Sequence, residues 1–334
     1  MNLSMWAKAV NVIPRVSKEE WDGLDVISRW LIATRSAVLV MTFISAAIAG
    51  LLAARDARFD PALWALVTVG LLFAHATNNL VNDFTDHLKG VDKDNYFRAQ
   101  YGPQPLEHGL MTRGQVILYI AVTGVIALAA GIVLVAVRGE ATLALLGLGA
   151  FFVLFYTWPL KYIGMGEVAV IVVWGPLMVG GGYYVITGQM SWPVILASLP
   201  VALAATTVLF GKHIDKLDAD AGKGIRTMPV LLGERHARGA TIAMLTLQYL
   251  LVVALVAGGS LSFLILTVLF ALPWYVRAVR AFRQPRPVVP PRQYPPNIWP
   301  LWFAAFAFQH TRRFGSLFLL GLAADVVARR LGVL

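Results

Sequence analysis

Residues 61–92 read PALWALVTVGLLFAHATNNLVNDFTDHLKGVD. Pro61–Asn82 contains no Asp, Glu, Lys or Arg, and about 20 apolar residues suffice to cross a bilayer as a helix. The end of that run is crowded with the carboxamides Asn78, Asn79 and Asn82 and the carboxylates Asp83, Asp86 and Asp92. Polar groups at a span are costly and are functional hypotheses by default. This cluster therefore points to a bound cation or polar ligand.

The whole chain follows the pattern of that opening run. It has 334 residues, 58% hydrophobic and 14% charged, the composition of an all-α, polytopic membrane protein. Uncharged stretches recur at Ser36–Ala54, Gly114–Val137, Ala141–Leu160, Val168–Gly211 and Gly239–Val276. The last two are long enough for two spans each, dividing near Gly188–Trp192 and at Gly258-Gly259-Ser260, which are turn sequences. Eight spans result. Arg312-Arg313 divides the remaining region into an aromatic interfacial piece, 298–309, and a short ninth span, 314–328, interrupted by Asp325.

The first 28 residues read as a cytoplasmic segment, because Lys18, Glu19, Glu20 and Asp22 leave no apolar signal-peptide core. Residues 284–296 (QPRPVVPPRQYPP) read as a stiff connection within a single domain spanning 1–334. Cysteine is absent, which excludes disulfides and thiolate metal sites. A net charge of +10 invites a nucleic-acid reading, but its distribution opposes one. With the N-terminus cytoplasmic, only Arg55, Arg58, Arg138, Arg329 and Arg330 of the 28 Lys and Arg fall on the far side. That is the positive-inside pattern of a protein in the cytoplasmic membrane; its partner is the lipid bilayer.

Half of the 18 acids lie in two segments, Asp83–Glu107 and Asp215–Glu234, at matched positions of two four-span halves. In the first, Asn79, Asn82, Asp83 and Asp86 share one helix face by i, i+3, i+4, i+7 spacing, with Asn78 at its border and Asp92 beyond Gly90. In the second, FGKHIDKLDADAGKGIRTMPVLLGE (210–234), Asp215 and Asp218 share a face, Asp220 stands half a turn away, and Gly222 and Gly224 open a loop. The bland alternative is that helix ends near water simply collect acids. Two oxygen-rich arrays beside Lys and Arg suit Mg²⁺, which binds through one or two carboxylates plus substrate phosphates.

These motifs resemble those of the UbiA superfamily of intramembrane prenyltransferases, and most of all the branch that prenylates 1,4-dihydroxy-2-naphthoate for menaquinone. Asn82-Asp83-Phe84-Thr85-Asp86 with Lys89-Gly90-Val91-Asp92 is similar to that branch's first signature. Further likenesses are Tyr101–Leu106 with Gly109-Leu110, Tyr156–Pro159 with Lys161-Tyr162, Gly164–Glu167, Gly181–Tyr184 and Thr187-Gly188. The resemblance implies about nine helices around a central cavity, with both acid-rich motifs at its cytoplasmic end holding Mg²⁺ and a prenyl diphosphate.

It further implies Asn82, Asp86 and Asp220 as metal anchors, with Asp83, Asp92, Asp215 and Asp218 as further candidates. Lys161, Lys212, Arg226, Asn78 and Tyr156 become candidates for the diphosphate, and Glu167 for positioning the acceptor's hydroxyl. Tyr156, Tyr162 and Trp174 are candidate π-faces for an allylic cation. His75, His87, His108 and His213 read first as packed or hydrogen-bonded residues. One departure stands out: where the family's second motif has two Asp four apart, this chain has Lys216 and Asp220. Asp215 or Asp218 would have to substitute through a local irregularity in the helix. Cyclisation of the isoprenoid and transfer to a non-aromatic acceptor use the same diphosphate chemistry and stay open. Transport is disfavoured, since transporter sites lie near the midplane and these arrays lie at span ends.

Overall fold

The computed structural model describes residues 2–91, 103–295 and 299–334. Among them every regular element is helical. The chain forms α1 (Leu3–Asn11), α2 (Lys18–Asp22), α3 (Val26–Ala33), α4 (Ser36–Arg55), α5 (Pro61–Leu88), α6 (Arg113–Arg138) and α7 (Glu140–Phe155). It continues as α8 (Gly166–Thr187), α9 (Trp192–Asp215), α10 (Leu217–Gly222), α11 (Met228–Ala257), α12 (Phe263–Arg283) and α13 (Phe303–Arg330). Seven of these, α4, α5, α6, α8, α9, α11 and α12, are long and apolar enough to cross a membrane; α7 is a shorter apolar helix. The expected breaks are present. Gly188 ends α8 in the left-handed region at φ +76°, and Gly258-Gly259, with Gly259 at φ +70°, ends α11.

The expectation at Arg312-Arg313 is corrected. α13 runs unbroken through both arginines from Phe303 to Arg330, instead of dividing into an interfacial piece and a short span. Its buried stripe passes through His310, Thr311, Phe314, Gly315 and Phe318. Both arginines lie on the exposed side, Arg312 over the Phe308 ring and Arg313 over Trp274. Charges on one face leave the packing on the other intact.

The chain forms two compact units. The first comprises Met1–Phe43 and Thr68–Leu160. Its amino-terminal segment is anchored by capping: Ser17 forms a reciprocal capping box with Glu20, and Asp25 accepts from Ser28 N at the start of α3. Ala9, Trp21 and Ile32 then pack with Leu80 of α5 and with Leu110, Met111 and Val116 at the entrance to α6.

The second unit comprises Ile44–Val67 and Lys161–Leu334. Phe210 and Ile214 of α9, Ala237 and Leu245 of α11, Ala278 and Phe282 of α12, and Phe303 and Ala307 of α13 share one core. Small residues allow close approach between helices. A Cβ on Gly211 would meet the Ala304 nitrogen at 2.7 Å, and one on Gly321 would meet the Leu264 oxygen at 2.7 Å. Within α8, residues Val173–Gly180 take π-type turns around Pro176, which accommodates a residue lacking an N–H inside the span.

Candidate active site

The carboxyl-terminal end of α5 carries the first array, and several of its polar side chains are engaged in packing. Arg35, in the left-handed region at φ +56° between α3 and α4, reaches α5 with one guanidinium nitrogen. Its Nη2 donates to the Asn79 carbonyl and to Asp83 Oδ1, each at 3.0 Å. Both side chains of that ion pair are buried. Asn79 Nδ2 donates to the Thr34 carbonyl at 2.8 Å. Asn79 and Asp83 thus fasten α5 to the turn before α4.

Asn82 Nδ2 donates to Thr157 Oγ1 at 2.9 Å, and Asn78 Nδ2 to the Val153 carbonyl at 2.9 Å. These bonds fix both carboxamides while leaving Oδ1 as an acceptor. Asp86, one turn beyond Asn82, is 3% exposed. Asp92 and Tyr101-Gly102 lie outside the described residues. Tyr156 is half-buried after α7, and Lys89 stands over the Trp158 ring. His75 faces Thr42 Oγ1 at 2.7 Å, His87 pairs with Glu107, and His108 Nδ1 accepts from Gln104 N. These are the packed, hydrogen-bonded histidines that the sequence suggests.

The second array lies where α9 ends. Lys216 leaves the helix, at φ −119° and ψ 24°, and α10 starts at the next residue. The irregularity expected near Asp215 is therefore present, but Asp215 uses it to serve another helix. Its Oδ2 accepts from Trp302 N at 3.1 Å and Ala304 N at 2.9 Å, and its Oδ1 from Phe303 N at 3.0 Å. No side chain of its own caps α13. A carboxylate satisfying the orphan N–H groups of a helix start is in the favoured position. Arg286 Nη1 adds a bond to the Asp215 carbonyl at 2.9 Å.

Asp220 is placed differently. It is 1% exposed; its Oδ1 accepts from Lys216 Nζ at 2.6 Å, and its buried Oδ2 has no hydrogen-bond partner among the described residues. Asp218 and Arg226 are exposed, Lys212 is half-buried, and Lys161 is buried. One helix over, Glu167 accepts from Met228 N at 3.3 Å through Oε2 and pairs through Oε1 with His213 Nδ1 at 2.6 Å, both side chains buried. Tyr162 and Trp174 are half-buried in this unit.

Sequence reasoning missed two features. Arg35 is a lone charge between apolar runs, and its position was the available signal. The Lys216–Asp220 pair has i, i+4 spacing, legible as an ion pair. Among the described residues no three His, Asp or Glu side chains are grouped as a ready-made metal cage. The donor set does fit Mg²⁺, whose sites use few carboxylates, and the bare buried oxygen of Asp220 asks for a cation or donor.

An all-helical integral membrane protein with carboxylates and carboxamides buried at helix ends is the class that this fold and chemistry define. The chain belongs to the UbiA prenyltransferase family, whose model matches residues 43–308, and it is a prenyl-transferring enzyme. It is similar to a 1,4-dihydroxy-2-naphthoate octaprenyltransferase of Escherichia coli (strain K12), 33% identical over 221 residues, 63% of this chain and 70% of that one. A protein of the same name from Bacillus subtilis (strain 168) is 26% identical over 255 residues, 75% of this chain and 81% of that one. Among solved structures, a UbiA homolog from Archaeoglobus fulgidus bound to GPP and Mg²⁺ has the same fold. The TM-score is 0.56 at 14% identity, covering 89% of this chain and 99% of that one.

Proposed function

We propose that the chain uses Mg²⁺ to transfer a prenyl group from an allylic prenyl diphosphate to an aromatic acceptor, 1,4-dihydroxy-2-naphthoate or a related quinone precursor. The reaction takes place in the cytoplasmic membrane, with the amino terminus and both acid-rich segments on the cytoplasmic side. The observation that carries this reading is Asp220, a buried carboxylate whose Oδ2 has no hydrogen-bond partner among the described residues. The names of the two naphthoate octaprenyltransferase relatives support the acceptor class, and the GPP- and Mg²⁺-bound homolog supports the donor and the metal.

In this reading Asn82 Oδ1 and Asp86, with Asp92, would be the metal ligands of the first array, and Asp220 Oδ2 that of the second, with Asp218 at its exposed rim. Asp83 and Asp215 serve the scaffold, since Arg35 and the start of α13 engage them. Bound magnesium supplies Lewis-acid stabilisation of the departing diphosphate. Lys161 and Lys212 give the phosphate oxygens point-charge donors, and Arg226 gives them a planar fork. Asn78 and Tyr156 line the approach to the first array.

As the allylic carbon–oxygen bond breaks, Tyr156, Tyr162 and Trp174 offer π-faces to the cation, and a dry site keeps water from it. Both Glu167 oxygens are engaged, so Glu167 acts as a positioning residue. It holds His213 with Nδ1 as the donor, which turns Nε2 toward the acceptor's hydroxyl as a hydrogen-bond acceptor. The acceptor ring attacks the allylic carbon, a carbon–carbon bond forms, and the ring carbon releases its proton or carboxyl group.

The test supplies detergent-purified protein with labelled geranylgeranyl diphosphate, Mg²⁺ and a panel of acceptors, with a no-acceptor control. Diphosphate release coupled to prenylated naphthoate, abolished in Asp86→Ala and in Asp220→Ala, is expected. Product formed without acceptor would replace transfer by cyclisation. Turnover surviving both substitutions would remove the metal assignment.

A further inference from the structure

The ion pair at the break between α9 and α10 has a consequence for metal stoichiometry. Lys216 Nζ lies 2.6 Å from Asp220 Oδ1, and the two side chains are 4% and 1% exposed. Oδ2 of the same carboxylate is buried without a hydrogen-bond partner among the described residues. A carboxylate holding an ammonium on one oxygen is neutral as a pair and leaves its other oxygen open to a cation. A divalent ion gripped by both oxygens, or a second ion on Oδ1, would lie against the ammonium, and like charges repel strongly where water is excluded.

The other buried acids of this array offer no substitute. Asp215 has both oxygens on backbone N–H groups of α13. Asp218 is exposed, and Glu167 is engaged with His213 and Met228 N. The second array therefore offers a metal one oxygen and offers a polyanion one fixed positive charge.

We infer that Lys216 is a diphosphate-binding residue whose ammonium takes the place of a divalent cation, so that the second array brings no more than one divalent ion to an allylic prenyl diphosphate. Asp220 offers that ion Oδ2 alone, while Oδ1 keeps the ammonium in place until phosphate oxygens arrive. A lysine ammonium has three donors, so it can turn one toward a phosphate oxygen and keep another on Oδ1. The inference rests on the diphosphate chemistry proposed above and goes beyond it in fixing what the second array supplies to it.

The experiment counts ions on the intact, detergent-purified chain, with Mn²⁺ in place of Mg²⁺ and a non-hydrolysable allylic thiolodiphosphate as probe. Free Mn²⁺ is read by its electron paramagnetic resonance signal. The Mn²⁺ count per chain at saturating probe is expected to rise by one in Lys216→Asp. Lys216→Met is expected to weaken probe binding at least about ten-fold, the loss of a charge-assisted bond, with the ion count unchanged. A Lys216→Asp protein of parental thermal midpoint that keeps the parent's Mn²⁺ count would overturn the inference, as would a Lys216→Met protein that binds the probe as tightly as the parent. Failure of the underlying reading looks different: the probe then binds at no Mn²⁺ concentration.

Discussion

Replacing Asp215 by Ala removes the acceptor for three backbone N–H groups at once, those of Trp302, Phe303 and Ala304. All three belong to the start of α13, which has no side-chain cap of its own. A buried donor left without a partner costs about 1–3 kcal/mol, which sets a ceiling of roughly 3–9 kcal/mol for the three. Loss of the carboxylate at a helix N-terminus acts in the same direction. Relaxation of the helix start and relief of the buried charge act against it. A loss of about 3–5 kcal/mol is expected, the range for breaking a buried charged interaction.

Asp215→Asn is the sharper probe. A carbonyl in the place of Oδ2 keeps the bonds to Trp302 and Ala304, while the new amide opposes Phe303 N, so about 1–3 kcal/mol is lost. The assay pairs sodium dodecyl sulfate titration in mixed micelles, followed by tryptophan fluorescence, with the Mg²⁺ dependence of prenyl transfer. A cap predicts a lower unfolding midpoint and an unchanged Mg²⁺ half-saturation for Asp215→Asn. A metal ligand predicts an unchanged midpoint and a raised Mg²⁺ requirement. The second pattern would refute the assignment of Asp215 to the scaffold.

Further substitutions test the packing of the helices. Arg35→Met leaves Asp83 buried without its ion-pair partner and is expected to destabilise the chain by about 3–5 kcal/mol; Arg35→Met with Asp83→Leu, which removes both charges, is expected to return to within about 1 kcal/mol of the parent. The same detergent titration reads both, and a double variant no better than the single one would show that the loss does not come from the buried charge of Asp83. Gly321→Ala drives a methyl to 2.7 Å from the Leu264 oxygen and 2.8 Å from Thr267 Oγ1, an overpacking loss of about 1–3 kcal/mol. Gly147→Ala meets nothing within 4 Å, so its midpoint should hold or rise.

Local chemistry accounts for what the sequence disclosed. Span ends were legible because charges and glycines punctuate the apolar runs, as at Gly188 and Gly258-Gly259. The face carrying Asn79, Asn82, Asp83 and Asp86 was legible because helical period alone places those residues together. The division of labour within that face was not. Asp83 is committed to Arg35, 48 residues earlier, and nothing local separates it from Asp86. Asp215 is the extreme case, since its partners lie 87 to 89 residues further on. Arg312-Arg313 misled because a pair of charges reads as a break until the face they occupy is known. With Arg313 over Trp274 on the outer side, the stripe from His310 to Phe318 continues beneath them.

The stretch 213–220 shows why an acid-rich motif should be read residue by residue. His213 and Asp215 belong to α9, and their side chains are committed to Glu167 and to the start of α13. Lys216 then leaves helical geometry, and its carbonyl accepts Asp220 N at 2.9 Å to start α10. The same residue joins its side chain to that of Asp220, so one short turn carries both the backbone closure and the ion pair. Backbone closure does not depend on which side chain stands at 216, whereas the charge offered to a ligand does. A carboxylate there would leave two neighbouring acids to be neutralised by added cations or by a shared proton, whereas an ammonium makes the pair neutral before any ligand arrives. Substitution at 216 should therefore change ion requirement more than fold, and metal counting, rather than turnover alone, separates those two effects.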